Sequence, residues 1–363
     1  MPIRPKFTLG ECRPAAARQF VGREELIASF DSALARPVGP EPQVLTYYGV
    51  GGIGKTTLRR KLCEVLDAKG DVSYAVVDFD MPSHRDQETA LSVLRKTLQS
   101  RYKVPFNTFD VAYATYWQKS RPDVALQKST FPFWEEGAIV ADLVSLLGDA
   151  PVVGWVPKLA KVAGKGSRVL SEWWTKRGHV ELRELPTLEA VQIAERLPMF
   201  WAADLRDFLR TRQAQAVLFL DTYEALTEGE RSEGKLLQRD AWVRELAAQL
   251  PEVLWVVCGR EKLRWEDVDK DWGSCVSQHL LGELSADDAR RFLASCGVDD
   301  ASVQDTIVTG SGGLPYYLDL AVDTFNEVQH RTGRPRRRTT SQGIRPKSLP
   351  ASFAILHSPK SKP

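Results

Sequence analysis

The sequence predicts an α/β fold of three layers, αβα, with a parallel sheet followed by a small all-helical domain. Three observations predict it. Short, near-continuous apolar runs alternate with segments of helical spacing, which calls for parallel strands covered on both faces. The first run leads straight into a glycine-rich turn and then a helix. From Leu284 onward the strand-like runs stop and only helical spacing remains.

Each element has its own signal. Residues 44–48, VLTYY, form a β-rich run, and Leu58, Leu62, Val65 and Leu66 then recur at helical spacing. Residues 73–79 read as a strand, 86–99 as a helix, 216–220 as a strand and 236–250 as a helix. A strand at 253–258 and a short run at 278–281 complete the sheet. Ser285 with Asp288 three residues later reads as a capping box that opens a helix through Phe292 and Leu293. The stretch 101–186 fits no strand–helix alternation and is expected to be an insertion. It holds Trp117, Trp134, Trp155, Trp173 and Trp174, half of the ten tryptophans. A lid packing these rings on the core is the expectation, and a partner-binding surface is the alternative. Lys158, Lys161, Lys165 and Arg168 read as one solvated helix face.

Residues 48–57, YGVGGIGKTT, carry the pattern G-x-x-x-x-G-K-[ST] over 49–56, a phosphate-binding loop. Its logic is physical. Glycines let successive N–H groups turn inward around phosphate oxygens, and the following helix aims its positive end at the same charge. The expected phosphate cradle is Gly49, Gly51, Gly52, Ile53, Gly54 and Thr57. Lys55 would reach the β- and γ-phosphates, and the Thr56 hydroxyl would hold Mg²⁺. Asp221 ends an apolar strand, where open parallel sheets bind ligands, and is the second expected Mg²⁺ residue. Glu224 follows one turn later as the candidate to orient or deprotonate the attacking water. Arg260, emerging after the 253–258 strand, is the candidate to stabilise the γ-phosphate. Lys55, Asp221, Glu224 and Arg260 are thus the candidate catalytic set.

Composition narrows the class. The chain has 363 residues, 43% hydrophobic and 26% charged, as expected of a soluble globular protein of two or three domains. The first residues hold no continuous apolar segment, and the longest apolar stretch, 138–156, is interrupted by Asp142, Asp149 and Pro151, too broken to span a bilayer. Five dispersed cysteines without a C-x-x-C fit free thiols in a reducing, cytoplasmic setting. Residues 331–363 contain nine Lys/Arg and no acid, leaving a net −7 on the rest. That tail is expected to be disordered.

The ordered set FVGRE (20–24), GVGGIGKTTL, LFLDTYE, VVCGRE and GGLP (312–315) resembles the STAND-class signalling ATPases, which include NB-ARC proteins and lie close to AAA+. The resemblance covers about 20–330. It implies that Val21 and Arg23 pack on the adenine side, that Arg260 senses the γ-phosphate, and that Gly313 and Pro315 contact base and ribose. It also implies an N-terminal extension over 1–19, a nucleotide-binding domain over 20–282 and a helical domain over 283–330. An effector domain before Phe20 and a winged helix after the G-x-P element are not found, so the expectation is either a minimal core working with separate effector or sensor partners or a truncated form. No N-K-x-D guanine reader and no L-S-G-G-Q signature occurs. The leading expectation is therefore an ATP/ADP switch that hydrolyses slowly and self-associates in the ATP state. The alternatives are a DNA-binding initiator or transcription regulator using the basic tail, and a nucleotide-binding module without turnover. No membrane partner is expected.

Overall fold

The computed structural model describes residues 18–124, 182, 184–228 and 239–331. Five strands, β1 (Gln43–Tyr48), β2 (Ser73–Asp78), β3 (Ala216–Asp221), β4 (Val253–Gly259) and β5 (Val276–Leu280), form one sheet in the order β2-β3-β4-β1-β5. Every pairing is parallel. The central strands β3 and β4 are buried along their whole length, whereas edge strand β5 is only half-buried. That difference explains the strong apolar signal of the first two and the weak one of the last.

Helix α1 (Glu24–Leu34) precedes β1, and α2 (Lys55–Lys69) follows it, burying Leu58, Leu62 and Leu66 at four-residue spacing. Helix α3 (Gln87–Tyr102) is capped by Asp86, whose carboxylate accepts from the Thr89 N–H at 3.1 Å. Two further helices complete this part of the core. Helix α4 (Asn107–Ser120) packs on α5 (Ala190–Arg212), a 23-residue helix with Pro198 inside it. Arg95 on α3 donates twice to buried Asp110 on α4, at 2.9 and 2.6 Å, so the charge that α3 buries is paired. Asp204 on α5 accepts from the Phe109 N–H at 2.9 Å and so satisfies a donor in the first turn of α4.

The stretch expected to lack strand–helix order thus contains α4, which carries buried Trp117. The other four tryptophans, together with Lys158, Lys161, Lys165 and Arg168, lie outside the described residues, as do the first seventeen residues and all but Arg331 of the basic tail. The helix expected at 236–250 is shorter, Ala241–Ala248.

Two compact units are present. One lies within Glu24–Gly51 and Lys55–Leu281 and holds the sheet; the other comprises, among the described residues, 18–23, Gly52–Gly54 and 282–331. The second has its own small core of Ala289, Leu293, Val298, Ile307, Leu318, Ala321 and Val322. These residues come from helices Ala286–Ser295, Ala301–Ser311 and Pro315–Arg331 and from the link between the first two. Ser285 caps the first helix, accepting from the Asp288 N–H at 3.1 Å. Among the described residues no helix is long and apolar enough to cross a membrane.

Candidate functional site

The register aligns the strand ends that matter. Asp78 pairs with Asp221, Leu220 with Val257 and Tyr48 with Gly259, so the C-terminal ends of β2, β3, β4 and β1 form one rim. Strand β4 lies between β1 and β3, which sets Arg260 between the end of β1 and Asp221. The loop leaves β1 through Gly49, whose N–H still donates to Gly259 O at 3.2 Å. At the start of α2, Lys55 Nζ donates to two carbonyls of its own loop, Gly49 O at 2.7 Å and Val50 O at 3.0 Å. Burial lowers the Lys55 pKa, and nearby Glu224 raises it in part.

Thr56 Oγ1 stands 3.4 Å from Asp221 Oδ1. A hydroxyl and a carboxylate oxygen side by side are the hard oxygen donors that Mg²⁺ takes, with water completing its shell. The residues present therefore fit that ion. Asp221 is buried, and its Oδ2 accepts from Arg59 Nε at 2.8 Å. The next residue, Thr222, has φ of 55°, unfavourable for a β-branched side chain. Two hydrogen bonds hold it there: its N–H donates to Asp221 Oδ1 and its hydroxyl to Asp78 Oδ1, both at 3.0 Å.

The same turn positions Glu224. The Tyr223 N–H donates to Cys258 O at 2.9 Å, and the buried Tyr223 hydroxyl donates to Asp240 Oδ2 at 2.8 Å. Glu224 then opens a one-turn helix, Glu224–Thr227, facing Arg260. Arg260 Nε lies 2.9 Å from Glu224 Oε1. The chain thus brings Lys55, Thr56, Asp221, Glu224 and Arg260 to one sheet edge.

Of the remaining expected residues, Gly51 and Thr57 belong to the unit that holds the sheet, whereas Val21, Arg23, Gly52, Ile53, Gly54, Gly313 and Pro315 belong to the helical unit. Arg23 lies at φ 72° and donates to Gly282 O at 2.6 Å and Ile53 O at 3.4 Å, while Val21 is half-buried. The backbone of Gly52 adopts φ 77°, and a side chain there would meet Tyr316 Cβ at 2.7 Å; Gly52 O accepts from the Tyr316 N–H at 3.1 Å. Glycine at 313 has a local reason as well, since a Cβ would sit 2.4 Å from Leu284 O. Pro315 is the first residue of its helix, the position proline favours.

Two residues of the rim were not anticipated. Arg59 follows Lys55 by four residues on α2, a spacing that places both on one helix face. Asp78 ends a strand as Asp221 does, and the same reasoning would have singled it out.

No protein-family model and no curated protein matches the sequence. Seventeen solved chains resemble this one, among them the following three at 14% identity. The Aeropyrum pernix ORC1 protein in complex with DNA overlaps 91% of this chain and 64% of its own, at a TM-score of 0.40. Cdc6p from Pyrobaculum aerophilum overlaps 86% and 63%, also at 0.40. The Aeropyrum pernix ORC2 protein in its ADPNP and ADP complexes overlaps 88% and 66%, at 0.41. The chain spans less than two thirds of the length of each. Its fold assignment rests on the strand order and register above and not on these likenesses.

Proposed function

We propose that this chain binds adenine nucleotide with Mg²⁺, hydrolyses ATP slowly, and uses the γ-phosphate as a switch for assembly or partner binding. The observation that carries the reading is the convergence of Lys55, Thr56, Asp221, Glu224 and Arg260 on one parallel-sheet edge. Lys55 exchanges its two loop carbonyls for phosphate oxygens. Thr56 and Asp221 hold Mg²⁺, which when bound offsets charge on the phosphates. Glu224 orients the attacking water and takes its proton. Arg260 leaves Glu224 to contact the γ-phosphate, a group that ADP lacks.

Adenine as the base, and the roles of Val21, Arg23, Gly313 and Pro315 toward it, rest on the ordered motifs. The STAND-class reading and the domain limits 20–282 and 283–330 rest on the same motifs. A second reading, a DNA-bound ATPase, rests on the nine basic groups of 331–363. It requires DNA binding that is lost both with that segment and at high salt.

The test uses the full chain. Glu224→Gln should retain ATP while turnover falls by about a hundredfold, the usual order for a lost general base. Light scattering on that variant should give a larger particle with ATP than with ADP. Turnover equal to that of the parent moves the base elsewhere, and equal particle size with both nucleotides removes the assembly switch.

A further inference from the structure

The carboxylate of Asp221 is engaged on both oxygens. Oδ2 accepts from Arg59 Nε at 2.8 Å, while Oδ1 accepts from the Thr222 N–H at 3.0 Å and lies 3.4 Å from Thr56 Oγ1. The ion pair is secluded, with side-chain exposures of 14% for Arg59 and 2% for Asp221. A buried carboxylate is stabilised by a paired counter-charge that also donates a hydrogen bond to it. Arg59 rises from the same face of α2 as Lys55. Phosphates arriving at Lys55 would meet Asp221 as a like charge unless something neutralised it. Bound Mg²⁺ would do so, and here a guanidinium is already in place.

The geometry assigns to Arg59 the part of a built-in counter-cation for the metal carboxylate. It neutralises Asp221 through Oδ2 and leaves Oδ1, beside the Thr56 hydroxyl, as the face offered to a metal. The chain then holds a nucleoside diphosphate almost as well without divalent metal as with it. Arg59 is a positioning residue that acts through Asp221. This inference rests on the nucleotide reading above.

The test is a fluorescence titration of the full chain with N-methylanthraniloyl-ADP, in excess Mg²⁺ and in EDTA. The ratio of the two Kd values reports how much binding depends on metal. In the parent the ratio should stay under about tenfold. Arg59→Met should raise it at least about tenfold, chiefly by weakening binding in EDTA, where nothing then offsets Asp221. Arg59→Lys keeps the charge and should keep the parental ratio. Arg59→Met with Asp221→Asn removes both charges and should return the ratio toward the parental value.

An unchanged ratio in Arg59→Met overturns the inference, because the loss is then one of packing shared by both conditions. Should Arg59→Met fail to fold, a parental ratio above about tenfold contradicts the inference by itself. A parent that binds no ADP under either condition overturns the nucleotide reading as well, whereas tight binding with an unchanged ratio overturns only the role of Arg59.

Discussion

Glu224 meets Arg260 twice: Oε1 forms an ion pair with the guanidinium Nε at 2.9 Å, and Oε2 accepts a hydrogen bond from the backbone N–H at 3.1 Å. The two contacts differ in kind. The backbone bond ties the one-turn helix Glu224–Thr227 to the end of β4, whereas the ion pair involves an arginine side chain that is 65% exposed. An exposed guanidinium exchanges partners at little cost, so Arg260 can move to a phosphate while Glu224 keeps its backbone contact. The carboxylate proposed to act on water is thus held by the residue proposed to read the γ-phosphate.

Arg260→Ala should therefore weaken ATP more than ADP. Charge-assisted hydrogen bonds to a phosphate contribute about 1.5–3 kcal/mol, so calorimetry should show ATP affinity down by about tenfold or more. The ADP affinity should stay within about twofold. Equal losses for the two nucleotides would make Arg260 structural, or a ligand of the inner phosphates only.

Asp204 makes stability depend on pH in an unusual direction. Burial pushes its carboxyl up to about 7, against the hydrogen bonds from Phe109 and Thr108 that favour the charged form. In the unfolded chain the same group loses its proton near pH 4, so between about pH 4 and 7 the folded state binds the extra proton. Unfolding then releases it, and stability falls as pH rises through that window before levelling off above it. Asp204→Asn cannot ionise, yet it keeps an oxygen for the Phe109 N–H. Thermal unfolding at pH 5 and pH 8 should show a smaller drop in Tm for the variant than for the parent. Equal drops would place the pH dependence in another group.

The sheet was legible because its strands are short, apolar and bounded by turns, and four of the five appear within a residue or so of where the pattern puts them. Helix α4 was not. Residues 108–115 are all buried, and Trp117 with them, so no polar face remains to give a 3.6-residue rhythm. Helix α5 carries Pro198 in its interior, a residue that ordinarily argues for a break. At the candidate site, the glycine-rich pattern over 49–56 was readable because its residues are contiguous. The contact between Arg59 and Asp221 joins residues 162 apart in the chain, and nothing local in α2 distinguishes Arg59 from a solvated arginine. Glu224 and Arg260 were each singled out, but their mutual pairing was not, since it depends on β4 lying beside β3.

The central claim is that the loop of residues 49–56 binds the phosphates of ATP through Lys55, and calorimetry of Lys55→Ala tests it most directly. Lys55 Nζ donates to backbone carbonyls of its own loop, so its removal should leave the circular dichroism spectrum unchanged. The lost contacts are charge-assisted, worth about 1.5–3 kcal/mol, which predicts ATP affinity down by about ten- to a hundredfold. Undiminished ATP affinity in a variant with an intact spectrum would contradict the account.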